Sequence, residues 1–300
     1  MIGLGVQTGG AEKYLGIDGT YRFFKEIGFD AVDASIYHAF PASDIVHHNL
    51  PSAFTGSERD LLDAFRPWKD AARKYGLPNF QAHAPCPTFV FDGQDGFNDL
   101  LVDALKKVIR ACDYIGCRNL VVHPFFLEYR HQLAPDEEWD INMERYAALI
   151  PAAKEYGVTI CLENMFMEYR GKIYGACCSD ITKACAYVDA LNTLAGSKTF
   201  GFCLDTGHLL LIGREIRSAI TELGDRICAF HVHDNNGISD EHLSPEMGIL
   251  DWDRFTQGLH EIGYNSTICF EIHKLWSRFS VDEMPEIMKS LLETGKKLIK

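Results

Sequence analysis

The chain has 300 residues and ten cysteines, but no CxxC pair and no regular cysteine spacing. This sets aside a zinc ribbon, a thioredoxin-type motif and a disulfide framework. No apolar run approaches the roughly 20 residues that span a bilayer, and no signal-type apolar stretch opens the sequence, so a soluble cytoplasmic protein with reduced thiols is expected. A basic excess is also missing: 29 Lys and Arg stand against 42 Asp and Glu, for a formal net charge of −13. Nucleic-acid binders usually present a basic surface, so a phosphate-backbone partner is disfavoured. No Pro/Ser-rich linker, low-complexity segment or shift in composition divides the chain, and a single domain over residues 1–300 is expected.

What the sequence does contain is regular alternation. Short strand-like runs lie at 3–7, 29–33, 79–83, 119–123, 158–163, 200–205, 227–231 and 267–271. Segments with helical spacing separate them, among them 58–75, 100–115, 144–156, 181–194, 214–223, 253–262 and a last one over 284–299. Glycines at 28, 76, 116, 157, 224 and 263 sit where a helix would stop before the next strand. Such strand–helix repetition fits a closed parallel barrel, the α/β (β/α)8 or TIM barrel, or an open doubly wound sheet. The open sheet would favour a Gly-rich phosphate turn after the first strand, and Thr8-Gly9-Gly10 does not match one. The barrel is the reading adopted.

Side chains within the strands sort by face. Residues in phase with Glu163, Asp205 and Glu271 are small or polar (Thr159, Cys161, Gly201, Cys203, Thr267, Cys269), whereas Ile160, Leu162, Phe202, Leu204, Ile268 and Phe270 point the other way. On this reading Cys161, Cys203 and Cys269 fill the barrel beneath a site rather than bind metal. The strand ends then carry the chemistry: Leu162-Glu163-Asn164, Asp205-Thr-Gly-His208, His231-Val-His233-Asp234 and Glu271-Ile-His273. Parallel barrel strands bring their C-terminal ends to one face. Glu163, Asp205, His231 and Glu271 would surround one point, and three carboxylates with an imidazole suit one divalent cation, Mn²⁺, Mg²⁺, Co²⁺ or Zn²⁺. Without a cation the carboxylates would raise one another's pKa. His83 and His123, at the ends of strands three and four, are either ligands or cleft-lining histidines. His233 shares the inward phase of His231 and competes with it, His231 being preferred, with Asp234 left as a supporting or substrate-contacting group. Asp240 and His242 lie in the loop after the seventh strand.

These residues carry a resemblance to the xylose-isomerase-like barrel superfamily, in particular to sugar phosphate isomerases/epimerases. It runs over nearly the whole chain through Leu162-Glu163-Asn164, Leu204-Asp205-Thr-Gly-His208, His231-Val-His-Asp234, Asp240-Glu-His-Leu-Ser-Pro245 with Gly248-Ile-Leu-Asp251-Trp252, and Phe270-Glu271. Resemblance to ketose 3-epimerases implies that Glu163, Asp205, His231 and Glu271 hold one cation. It also implies that Glu163 and Glu271 exchange protons with a sugar or sugar phosphate through a metal-stabilised enediolate, and that His208 contacts the substrate. The chain departs from those enzymes at Gly237, where they carry an arginine, and at Tyr169, where they carry an acid; Glu168 lies one step short of that position. Substrate contacts are accordingly expected from His208, His83, His123, His233, Asp240, His242 and Glu168. Arg170 and Lys172 in the same loop could take a phosphate or remain solvated.

Two further resemblances bear on the activity. The trinuclear-zinc AP endonucleases share the fold, and their ligand pattern is matched by His83, His123, Glu163, Asp205, His208, His231, Asp240, His242 and Glu271, which implies room for additional zinc ions. The net charge and the aromatic, acidic strand-end loops (125–129, 136–140, 165–169) speak against nuclease action. Bacterial C-glycoside deglycosidase subunits use a similar site for a lyase reaction on 3-keto-glycosides. Loop aromatics, with Trp276 and Phe279, would stack on a sugar or aglycone, pack the barrel mouth, or serve a homo-oligomer contact.

Overall fold

The computed structural model describes residues 1–127 and 133–300. Eight parallel strands close into a barrel in sequence order: β1 (Gly3–Gln7), β2 (Ala31–Ala34), β3 (Asn79–His83), β4 (Asn119–Val122), β5 (Thr159–Glu163), β6 (Phe200–Asp205), β7 (Ile227–Val232) and β8 (Thr267–Phe270). Pairing of Val6 with Phe270 and of Gly5 with Cys269 joins β8 back to β1. The fold is the (β/α)8 barrel that the alternation implies.

The face assignment follows the pleat. Ile160, Leu162, Phe202, Leu204, Ile268 and Phe270 belong to the large core between barrel and helices. Cys161 and Cys203 pack with Val121 and Ala229 in a separate small cluster inside the barrel. The interior narrows most at the glycines: a Cβ built at Gly5 would come 2.5 Å from the Cys269 sulfur. Cys269 therefore occupies space that β1 leaves open, consistent with a small buried apolar filler.

Helix boundaries follow local chemistry. Ser57 caps the helix Glu58–Tyr75 in a reciprocal capping box with Asp60, and Gly76 ends it at φ 60°. Gly224 differs from the expected cap: its ψ of −127° leaves the left-handed helical region, and a 3₁₀ turn over Gly224–Arg226 leads into β7 instead. At the end of β6 the chain turns directly into the short helix Thr206–Leu211, with Asp205 as its N-cap. Phe29, expected to begin β2, lies buried ahead of the strand, which starts at Ala31. Two small pairings decorate the C-terminal face: Phe89–Val90 with Phe126–Leu127, and the hairpin Phe166–Tyr169 with Lys172–Gly175. Glu128 and Tyr129, part of the strand-four loop read above, lie outside the described residues. Among the described residues, no helix is long and apolar enough to cross a membrane.

Closure at β1 and β8 depends on the missing side chain at position 5. Gly5→Val should destabilise the protein by about 1–3 kcal/mol, as overpacking of a filled core does, measured as a lower urea midpoint with an unchanged slope.

Candidate active site

The strand ends converge on a cavity of about 320 Å³ lined by Gln7, Tyr37, His83, Cys86, His123, Glu163, Met165, His208, Asp240, His242, Glu271, His273 and Lys274. Residues from β1, β3, β5 and the segments after β4, β6, β7 and β8 thus meet at one face. A larger groove of about 400 Å³ runs between outer helices, but its Arg110 and Lys106 are paired to Glu58 and Asp103.

Glu163 is the hub. Its Oε1 lies 3.0 Å from His231 Nδ1, and its Oε2 lies 3.2 Å from His123 Nε2 and 3.9 Å from His83 Nε2. Burial alone would raise its pKa, but His231 and His123 outweigh burial and hold the carboxyl well below the usual range. The next residue, Asn164, stitches β5 to β6. Its amide donates to the Asp205 carbonyl at 2.9 Å, its side-chain oxygen accepts from the Asp205 N–H at 2.8 Å, and its own carbonyl faces His208 Nδ1 at 2.9 Å.

His231 and His233 lie two residues apart on one strand face, and both are buried. They do not compete. His231 addresses Glu163, while His233 Nε2 lies 3.0 Å from Asp205. The close approach of His233 requires Gly207, where any Cβ would overlap the imidazole ring. Burial opposes charge on His233, but Asp205 prevails and its pKa rises to about 9. Asp205 in turn is lowered, His208 and His233 outweighing its burial.

Glu271 sits across the cavity. Its Oε1 accepts from Gln7 Nε2 at 2.7 Å, and its Oε2 lies 3.6 Å from His231 and 3.7 Å from His242. Burial, reinforced by the Asp205 and Glu163 charges against the pull of His231, lifts its pKa to about 8.

Among the described residues, four sets of ligand atoms lie close enough to hold an ion: Glu163, Asp205 and His231; His83, His123 and Glu163; Asp205, His208 and His233; and His233, His242 and Glu271. Glu271 thus groups with His233 and His242 rather than with the other three residues of the expected quartet, although its Oε2 remains 3.6 Å from His231. The donor set fits a divalent cation. His83 Nδ1 faces the Ala84 carbonyl at 2.7 Å and must donate to it. That leaves the Nε2 lone pair of a neutral ring directed at His123, 3.0 Å away. Burial and the neighbouring His123 keep His83 neutral, with a pKa of about 4. Glu163 Oε2, buried beside these nitrogens, makes no hydrogen bond.

Sequence reasoning missed the residues behind the ligands. Asp33 Oδ2 lies 3.2 Å from His231 Nε2 and accepts from Gln81 Nε2 at 2.9 Å, and Gln81 also donates to the Phe230 carbonyl at 3.0 Å. A carboxylate behind an imidazole fixes which ring nitrogen faces the site. Gln7 and Asp33 were detectable, since each is a polar residue at the end of an apolar strand run. Tyr37, Lys274 and the cavity-facing role of His273 come from packing and carried no local signal.

Other expected residues have different places. Asp234 is buried but faces its own loop, accepting from the N–H groups of Asn235, Gly248 and Leu250 and from Trp252 Nε1. It does not line the cavity. Asp240 and His242, in the loop after the seventh strand, are both largely buried and line the cavity, with His242 Nε2 2.7 Å from Asp240 Oδ2. Glu168, Arg170 and Lys172 stand exposed on the hairpin, away from the cavity lining. Trp276 packs into the core against Tyr14, Phe23 and Phe24, so it is unavailable for stacking on a ligand. Phe166 sets its ring 4.9 Å from the His208 ring.

A family model described as the xylose isomerase-like TIM barrel matches residues 21–294. The chain belongs to that family. An uncharacterized protein of Methanocaldococcus jannaschii is 29% identical over 196 residues, covering 65% of this chain and 63% of its own length. An inosose isomerase of Bacillus velezensis is 24% identical over 192 residues, 61% of this chain and 64% of that protein. Both matches span less than two thirds of the relative. Among solved structures, 3-keto-D-glucoside 4-epimerase from E. coli superposes with a TM-score of 0.71 at 15% identity, over 99% of this chain and 100% of that one. The IOLI protein with a bound zinc atom gives 0.69 at 17% identity, over 99% and 98%. At these identities the structural likeness establishes the shared barrel.

The shifted groups fix a pH response of the metal-free protein. Glu271 rises from 4.5 to about 8 and His233 from 6.5 to about 9, so the folded state holds these protons more tightly than the unfolded chain. Their stabilisation is complete below the unfolded values and is lost as pH rises through the folded ones. His83 and His242, both lowered from 6.5 to about 4, act oppositely but only below 6.5. Stability of the chelated protein should therefore fall between pH 6.5 and 9, read from urea midpoints, while Zn²⁺ or Mn²⁺ affinity should rise over the same interval.

Proposed function

We propose that this chain is a divalent-metal-dependent isomerase or epimerase of a carbohydrate carbonyl compound. The observation that carries the reading is the placement of Glu163 and Glu271 on the wall of one cavity, both beside His231. Two positioned carboxyls in one pocket can take a proton from carbon and return it. Glu163 stays ionised and is the group fitted to take a proton from carbon. Glu271, which must give up its proton to sit beside a bound cation, is the second carboxyl fitted to exchange a proton with the substrate. Gln7 orients Glu271 through its Oε1, and His231, braced by Asp33 and Gln81, orients Glu163.

Glu163, Asp205 and His231, with Glu271 close by, would hold the cation, which when bound would polarise a substrate carbonyl and its neighbouring hydroxyl and so acidify the carbon-bound proton. The residues of the chain supply the rest: His208 and Asp240 reach the cavity wall as polar contacts, and Met165 with Phe166 closes one side against water. The inosose isomerase relative and the structural likeness to a 3-keto-glucoside epimerase support a keto-sugar or keto-polyol as substrate class.

The test is deuterium exchange from D₂O into candidate ketoses, sugar phosphates, inososes and 3-keto-glycosides, followed by product analysis. Glu163→Gln and Glu271→Gln should each lower turnover by at least about 10²-fold, the usual contribution of a positioned acid or base, while leaving the circular dichroism spectrum unchanged. Full activity in either folded variant would overturn the assignment. Release of an aglycone in place of an isomer would assign elimination instead.

A further inference from the structure

The wall formed by Asp240, His242 and Lys274 carries an inference about how many cations the site accepts, and it rests on the metal-dependent reading above. Asp240 and His242 look like one limb of a metal site. His242 Nε2 approaches Asp240 Oδ2 at 2.7 Å while its Nδ1 faces the Glu271 carbonyl at 2.8 Å, so both ring nitrogens point at acceptors. An imidazole with a single N–H can donate to only one of these oxygens, so the Asp240 carboxylate calls for a further cation beside it. The chain provides it: Lys274, three residues beyond Glu271, sets its Nζ 3.0 Å from the same Oδ2 and also donates to the Asp240 main-chain carbonyl. The ion pair is largely shielded, with Asp240 17% and Lys274 39% exposed at the side chain. Consistently, Asp240 belongs to none of the four close ligand sets among the described residues, although every other carboxylate and imidazole of the expected pattern does.

We infer that the Lys274 ammonium is a built-in cation on the Asp240–His242 limb, and that metal ions bind only around Glu163, Asp205, His231, Glu271 and the neighbouring histidines. A dication placed on Asp240 would sit within a few ångströms of an ammonium held by two contacts to the same residue, and like charges at that range repel. Asp240 Oδ1 is buried and makes no hydrogen bond. Freed from metal duty, this oxygen is an acceptor for a substrate hydroxyl, with the Lys274 ammonium beside it as a donor. The limb thereby becomes a wall that reads a polyol.

Native mass spectrometry of chelated protein reloaded with Zn²⁺ or Mn²⁺ counts ions per chain directly, without an activity assay. Asp240→Asn should leave the wild-type count unchanged. Lys274→Ala should bind one more ion than wild type, and the double variant should return to the wild-type count. Loss of an ion in Asp240→Asn, or equal counts in wild type and a folded Lys274→Ala, overturns the inference while leaving the proposed activity standing. A wild-type protein that holds no ion at all overturns both.

Discussion

Mutual repulsion among buried carboxylates governs the upper half of this barrel. Glu163, Asp205, Glu271 and Asp33 all end strands that converge on one axis, and each is almost fully buried. Such a cluster is tolerable only if positive charge, protons or hydrogen-bond donors are interleaved with it. The interleaving is visible residue by residue. His231 separates Glu163 from Asp33, His233 faces Asp205, Gln7 caps Glu271, and Lys274 serves Asp240. Each compensation is partial, which in the metal-free protein leaves Glu271 proton-rich and Glu163 proton-poor.

Rigidity beneath the site has a different origin. The barrel interior below the site is filled in part by Val121, Cys161, Cys203 and Ala229, which pack together from the neighbouring strands β4 to β7. Above them Asn164 makes three contacts that lock the ends of β5 and β6 together. A residue next to Glu163 thereby fixes the position of Asp205 as well, because Asp205 is held through its own main chain. Interior packing and strand-end hydrogen bonding together leave the carboxylates little freedom to relieve their repulsion by moving apart.

Much of this was legible in the sequence, because a barrel writes its faces as period-two alternation and its active face as polar strand ends. The eight strands, the inward cysteines and the convergence of Glu163, Asp205, His231 and Glu271 all follow from those two signals. The boundaries of β2 and the helix after Asp205 did not, since they depend on a cap and on packing behind Gly28. Asp33 and Gln81 went unassigned because a polar side chain that braces a histidine leaves the same local trace as one that faces a ligand. Asp234 shows the converse error. It follows His233 in a motif that reads as functional, yet its phase turns it away from the cavity and into its own loop. Lys274 could be placed only once the excursion after β7 was seen to fold Asp240 back beside β8.

The four hydrogen bonds that Asp234 accepts give that excursion a fixed root. Between them the chain projects Ile238, Met247 and Ile249 into solvent, while the segment that carries Asp240 and His242 inward stays anchored to β7 through the paired Asp234 and Leu243 main chains. One loop therefore has two independent halves, an inner edge constrained by the carboxylate cluster and an outer edge that answers only to solubility and to whatever meets the protein from outside. Sequence drift on the outer edge can remodel the approach to the barrel mouth without disturbing the buried carboxylates, so the entrance and the floor of one cavity can change independently.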